Sequence, residues 1–197
     1  MNRILDILNL AKQNNGVITS KMVTDAGFSR GSLKYLCDKA LLERASRGVY
    51  VLPETWEDEF LSVQTRYKKG VFALETALYL NQLTDRTPHK FSLFFPKTYN
   101  LTNPKKDSLK CYNISGEEYR SGIVKLITPS GNEVYAYKPE KTLCDILRPR
   151  FHVDIQIISD AYKQYMRSQE CNISLLSEYA KIFHVESKVR SYLEVLL

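Results

Sequence analysis

The stretch SRGSLKYLCDKALLERASRGVYVLP, residues 29–53, places a helical pattern, two strand-like runs and an Arg-Gly turn side by side. Leu33, Leu36, Cys37 and Ala40 recur at i, i+3, i+4 and i+7, which predicts a helix with one apolar face and Ser29 as its cap. LLERA and VYVLP read as strands, and Ser46-Arg47-Gly48 supplies the tight turn between them. Turning about 100° per residue from Leu33, the outward face carries Gly31, Lys34, Tyr35 and Asp38. Ser32 and Lys39 lie at its edges, and Arg30 falls in the first turn.

That face has the chemistry of a DNA-reading helix. Arg and Ser reach base edges or phosphates, Lys neutralises phosphate, and Gly lets the backbone approach closely. Asp38 would be repelled by phosphate and has to lie at the end tilted away from the groove. The residues before it complete a recognisable order. Ile4, Leu8 and Ala11, helped by Leu5 and Ile7, predict a first helix closed by Asn15-Gly16. Thr19 or Ser20 can cap a short second helix, KMVTDA, which Gly27 stops. Helix, helix, helix, strand, strand is the layout of a winged helix-turn-helix, with Arg47 at the wing tip. A small three-helix domain also keeps such a face in water; the element order, the Gly27 turn and the basic wing favour DNA. The expected contacts are Ser29, Arg30, Ser32, Lys34 and Tyr35 in the groove, Arg47 from the wing and Lys21 on phosphate.

Charge is distributed accordingly. Residues 1–52 hold eight basic and four acidic side chains, or +4 of the chain's formal +6, leaving +2 for the rest. A basic end beside a nearly balanced remainder points to an anionic partner for that end. No apolar run approaches the roughly 20 residues that cross a bilayer. The first residues lack a signal peptide's apolar core, so the expected location is cytoplasmic, with no membrane partner. Cysteines 37, 111, 144 and 171 and histidines 89, 152 and 184 show no metal-type spacing, so neither zinc nor disulfides are expected.

PETWEDEF, residues 53–60, marks a boundary: proline ends the second strand, and Glu54, Glu57, Asp58 and Glu59 load the start of a new helix. The expected domains are 1–52 and 58–197. In the second, helical patterns at 59–69 and 73–83 precede β-rich runs FSLFF (91–95), LKCYNI (109–114), IVKLITP (123–129) and EVYAYK (133–138). From Pro139 onward the pattern is helical, with Ile155, Ile158, Tyr162 and Tyr165 striping one helix, and Leu175, Leu176, Tyr179, Ala180 and Phe183 the next. Val189, Tyr192, Leu193 and Leu196 stripe the last. The fold class is α+β, an N-terminal winged helix-turn-helix followed by a mixed α/β domain with a helical C-terminal half.

Catalytic signatures are absent. There is no GxxxxGK[ST] loop, no GxSxG elbow and no Gly-Ser followed by the paired aspartates of a nucleotidyltransferase. A restriction-type nuclease needs an acid-x-Lys strand, and the nearest string, Glu133-Val-Tyr-Ala-Tyr-Lys138, has the wrong spacing. No enzymatic activity and no cofactor are expected. The thirteen tyrosines fall mostly at helical spacing beside Leu and Ile, which favours core packing over base stacking. The basic pairs Lys68-Lys69, Lys105-Lys106 and Arg148/Arg150 read singly as solvated ends and together as a possible continuation of a DNA path.

LETALYLNQLTDRTP (74–88), FSLFFP (91–96) and YKPEKTLCDIL (137–147), placed after a winged helix, resemble the AbiEi antitoxins of bacterial abortive-infection, type IV toxin–antitoxin systems. The resemblance implies an N-terminal domain that binds inverted repeats in the double-stranded DNA of its own promoter and represses it. It implies a C-terminal antitoxin domain that acts in phage defence against a nucleotidyltransferase-like toxin, with no stable complex required. By that resemblance the antitoxin core falls on Glu75, Thr76, Ala77 and Leu78, and on Pro139, Glu140, Lys141, Thr142 and Asp145. Two rival readings remain: a protein-interaction module that ignores DNA, and a metal-dependent nuclease built on Glu133.

Overall fold

The computed structural model describes residues 3–196. The chain forms two compact units: residues up to Lys68 together with Ile127–Val134, and Lys69–Leu126 together with Tyr135 onward.

In the first unit the order is α1 (Arg3–Gln13), β1 (Val17–Thr19), α2 (Ser20–Asp25), α3 (Gly31–Asp38), β2 (Glu43–Ser46), β3 (Val49–Val51) and α4 (Glu59–Arg66). The three helices and the β2–β3 wing follow the expected order. β1 is an addition: three residues are too few for alternation to register, and all three are buried. It pairs antiparallel with β3 from Val17↔Val51 to Thr19↔Val49, giving the sheet order β1-β3-β2. Ile7, Ala11, Ile18, Val23, Leu33, Leu36 and Leu42 form one buried cluster, so α3 is fixed by its inner face. Truncating Leu36 to Ala would cost about 2–5 kcal/mol by the usual transfer and cavity terms.

Three side chains depart from the expected stripes. Ala40 is exposed, because α3 ends at Asp38 and Ala40 adopts a left-handed φ of 53° that turns the chain. Leu42 takes the core place instead, and Leu36 O accepts from Leu41 N at 2.9 Å. Leu5 lies on the outer side of α1, and Ile155 precedes the buried stripe of its own helix; both are exposed.

The division between units also differs from the composition break at 53–60, and Asp58 supplies the reason. Its buried carboxylate caps α4 by accepting from Leu61 N at 3.2 Å. It also accepts from Asn132 Nδ2 at 2.9 Å and from Thr128 Oγ1. Asn15 Nδ2 donates to Gly131 O at 2.9 Å. These bonds tie α4 and the turn at 127–134 into the first unit.

The second unit is built on a five-stranded sheet of order β6-β5-β4-β8-β7. Its strands are β4 (Val71–Phe72), β5 (Ser92–Pro96), β6 (Lys110–Ile114), β7 (Ile123–Ile127) and β8 (Glu133–Tyr137). β5 carries four successive buried residues, Ser92 to Phe95, as an inner strand covered on both faces does. β5 and β6 run parallel, Ser92↔Lys110 to Pro96↔Ile114, and the crossover between them holds α6 (Thr102–Lys106). The remaining helices are α5 (Leu74–Leu80), α7 (Gly116–Arg120), α8 (Pro139–Ile146), α9 (Ile155–Arg167), α10 (Ile173–Ile182) and α11 (Glu186–Leu196). α6, α7 and the two-residue β4 have no counterpart in the sequence pattern, being too short for their period to repeat. Tyr137, Tyr162 and Tyr165 are among the largest fully buried side chains, so these tyrosines pack the core. Among the described residues no helix is long and apolar enough to cross a membrane.

Candidate nucleic-acid interface and a buried charge network

The seven candidate DNA contacts lie in the first unit, and six of them, Lys21, Ser29, Arg30, Lys34, Tyr35 and Arg47, are exposed; Ser32 is half-buried. A run of hydrogen bonds connects several of them. Gly48, at φ 84°, makes the wing turn that a side chain would strain. Its carbonyl accepts from Ser20 N at 2.9 Å, which sets Arg47 and Lys21 beside one shared bond. Ser20 opens α2 behind the cap Thr19, whose Oγ1 accepts from Met22 N at 3.2 Å. One turn on, Thr24 Oγ1 donates to Ser20 O at 2.9 Å and accepts from Arg30 Nε at 3.0 Å. The wing turn, α2 and the start of α3 are thus linked in one line, with Lys34 and Tyr35 a turn further along α3.

The cap differs by one position from the sequence reading. Arg30 is the N-cap residue of α3, and Ser29 Oγ accepts from Gly31 N at 3.2 Å. Lys21 pairs with Asp25 at 2.7 Å, an exposed i, i+4 pair. Such pairs contribute under about 1 kcal/mol and yield to a phosphate. Among the described residues Lys34 and Arg47 have no ion pair. Asp38 is exposed at the C-terminal end of α3.

The residues marked by the PEKTLCD motif have a different setting. Glu140, Lys141, Thr142 and Asp145 on α8 are all buried. Lys141, at 0 % side-chain exposure, donates to Asp145 Oδ2 at 2.7 Å. Its Nζ lies 3.7 Å from the centroid of the Tyr137 ring and 5.2 Å from those of Phe94 and Phe183. Gly122, at φ 74°, makes room for this stem: a Cβ there would stand 3.0 Å from Lys141 Cδ. Asp145 also accepts from Arg148 at 3.0 Å, and Arg148 pairs with Glu118, which in turn accepts from Arg150 at 3.2 Å. Burial lowers the Lys141 pKa, opposed by Asp145. Burial also works against the Arg148 charge, but the hydrogen bond to Glu118 and the charge of Asp145 outweigh it and raise its pKa.

The other motif residues are also engaged. Glu140 accepts from Tyr165 OH at 2.9 Å, and Thr142 Oγ1 donates to Lys138 O at 3.0 Å. Thr76, fully buried on α5, accepts from Ser92 N at 2.9 Å, while Glu75 pairs at the surface with Lys110 at 3.2 Å. Arg148 is therefore an internal ion-pair partner rather than the solvated end expected. The signal for it was the spacing Asp145-x-x-Arg148, one turn of helix after Lys141. Among the described residues no group of three or more His, Cys, Asp or Glu side chains converges as a metal site would require.

No functionally curated protein matches the chain. Among solved structures, the crystal structure of the RV2827C protein from Mycobacterium tuberculosis matches at 12% identity over 98% of this chain and 81% of that one, with a TM-score of 0.48. The family comparison falls on the exposed line just described: residues 6–53, which hold all seven of its candidates, match the transcriptional regulators of the AbiEi antitoxin family.

Proposed function

We propose that the protein is a DNA-binding autorepressor of the antitoxin class. α3 enters the major groove of double-stranded DNA through Ser29, Arg30, Ser32, Lys34 and Tyr35, while Arg47 on the wing and Lys21 on α2 contact flanking backbone. The operator consists of inverted repeats in its own promoter. The observation that carries this reading is the hydrogen-bonded line from Gly48 through Ser20 and Thr24 to Arg30, which holds a basic, outward-facing surface over the residues that match the regulator family. A regulator needs that combination: phosphate contacts to set register and base-edge donors to select sequence.

The antitoxin role belongs to the second unit, directed at a nucleotidyltransferase-like toxin without a lasting complex, in abortive infection of phage-challenged cells. Glu140, Lys141, Thr142 and Asp145 act there by holding the unit's shape, since their partners are internal. Glu75 instead keeps a surface-facing carboxylate pair, with Lys110. No catalytic step and no cofactor are assigned to the chain, and its place of action is the cytoplasm.

A gel shift on the duplex upstream of the chain's own reading frame tests the DNA reading. The expected result is a retarded band that survives competitor DNA and weakens as salt rises. Absence of any shift at low salt sends the exposed surface back to a protein-interaction role.

A further inference from the structure

The Arg30 side chain is steered by a neighbour on another helix. Its Nε donates to Thr24 Oγ1 at 3.0 Å, and that hydroxyl spends its own proton on Ser20 O at 2.9 Å. A hydroxyl donating to a backbone carbonyl has its lone pairs fixed, so it accepts from Arg30 in one direction. Thr24 is itself exposed, so this contact orients Arg30 rather than supporting the core. A guanidinium is a planar fork of five donors. With Nε committed, the pair of terminal nitrogens is what remains, and among the described residues neither has a partner. That pair matches the O6 and N7 acceptors that guanine alone presents in the major groove.

We propose that Thr24 is a positioning residue for Arg30, and that Arg30 reads a guanine end-on through its two terminal nitrogens. Each half-site of the operator then carries a G·C pair opposite the start of α3. The inference rests on the DNA-binding reading above and adds a specific base and a residue outside the groove-facing set. Phosphate would also accept the terminal fork, but it would not make affinity depend on the base.

The test uses the full chain and a pool of short randomised duplexes, from which bound DNA is selected and sequenced. The wild type is expected to enrich a motif with a fixed guanine. Arg30→Ala and Arg30→Lys lose that preference by about tenfold or more, since a lysine has one point charge and no fork. Thr24→Val keeps the side chain's shape and removes the hydroxyl; it lowers the same preference by several-fold, with affinity for random duplex and the salt slope unchanged. Thr24→Ser, which retains the hydroxyl, restores it. Thermal melting of each variant shows that the fold is kept. Unaltered guanine preference in Thr24→Val overturns the positioning role. Equal loss on all duplexes in Arg30→Ala, with a slope reduced by about one, makes Arg30 a phosphate contact and overturns the base assignment. A wild type that enriches nothing overturns the DNA reading together with this one, which separates the two failures.

Discussion

Arg30 and Arg148 are the same residue put to opposite uses. Arg30 stands exposed at the start of α3, held by one hydroxyl, with its terminal nitrogens unpartnered among the described residues. Arg148 has 16 % of its side chain exposed and binds Asp145 and Glu118 while its guanidinium lies 5.1 Å from the Phe183 ring centroid. Lysine repeats the contrast. Lys34 is solvated and without an ion pair among the described residues, whereas Lys141 is wholly enclosed by aromatic rings and a carboxylate. A charge left unsatisfied at a surface is available to a ligand; a charge satisfied inside holds the fold.

The contrast breaks most visibly if Asp145 is removed. Asp145→Ala leaves Lys141 buried beside aromatic rings without its hydrogen-bonded counter-charge, and Arg148 with only Glu118. Loss of one partner of a buried pair costs about 3–5 kcal/mol, so urea denaturation should show a midpoint far below that of the parent. Lys141→Met removes the charge and preserves volume, and should cost markedly less despite the stranded Asp145, which keeps Arg148. Equal losses would mean that the network is not electrostatically closed.

A smaller effect is expected at the opposite pole. Arg30→Ala should weaken operator binding by about 1–3 kcal/mol if the fork addresses a base, while changing folding stability by under about 0.5 kcal/mol. Fluorescence-anisotropy titration and thermal melting of the same sample read the two quantities. A large stability loss would place Arg30 with Arg148, as a structural residue, and erase the distinction between the units.

How far this distinction was readable in sequence depends on range. Helix α3 was legible because Leu33 and Leu36 recur at helical spacing and a charged face is left opposite them. Gly48 and Gly27 likewise announced their turns. The status of PEKTLCD was not legible. Pro139 and Glu140 predict a helix start well enough, but Lys141 is enclosed by Phe94 and Phe183, far away along the chain, and no local pattern encodes that. Asp58 is legible as a helix-start acid, yet its bonds to Thr128 and Asn132 span some seventy positions and redraw the unit boundary. Thr24, a lone threonine in a short helix, has no sequence signature; its meaning lies in the two bonds it makes.

Arg47→Ala sharpens the surface side further. The wing arginine makes no ion pair among the described residues, so its loss should leave stability unchanged. Binding to every duplex should weaken evenly, with the slope of log affinity against log salt falling by about one. An unchanged slope would remove the wing from the DNA.

The smallest expected effect contrasts one residue type across both units. A cysteine thiol ordinarily ionises near 9.0; burial pushes Cys111 on β6 up to about 11, with Lys105 pulling back. Cys37 on α3 is pushed the same way, first by burial and then by Asp38, and Arg44 pulls it back. Below pH 9 both folded and unfolded chains keep these protons, and the full stability is present. As pH rises from 9 through about 11, the unfolded chain releases the Cys111 proton while the folded one retains it, so stability is lost across that window. Solvent screening at a half-buried site reduces the cost to about 1 kcal/mol, or a midpoint shift of about 2–4 °C. Thermal melts at pH 8 and pH 10 should therefore lie closer together for Cys111→Ser than for the parent, while Cys37→Ser narrows the gap less. A larger narrowing from Cys37→Ser would reverse the contrast and make α3, rather than β6, the more tightly enclosed environment.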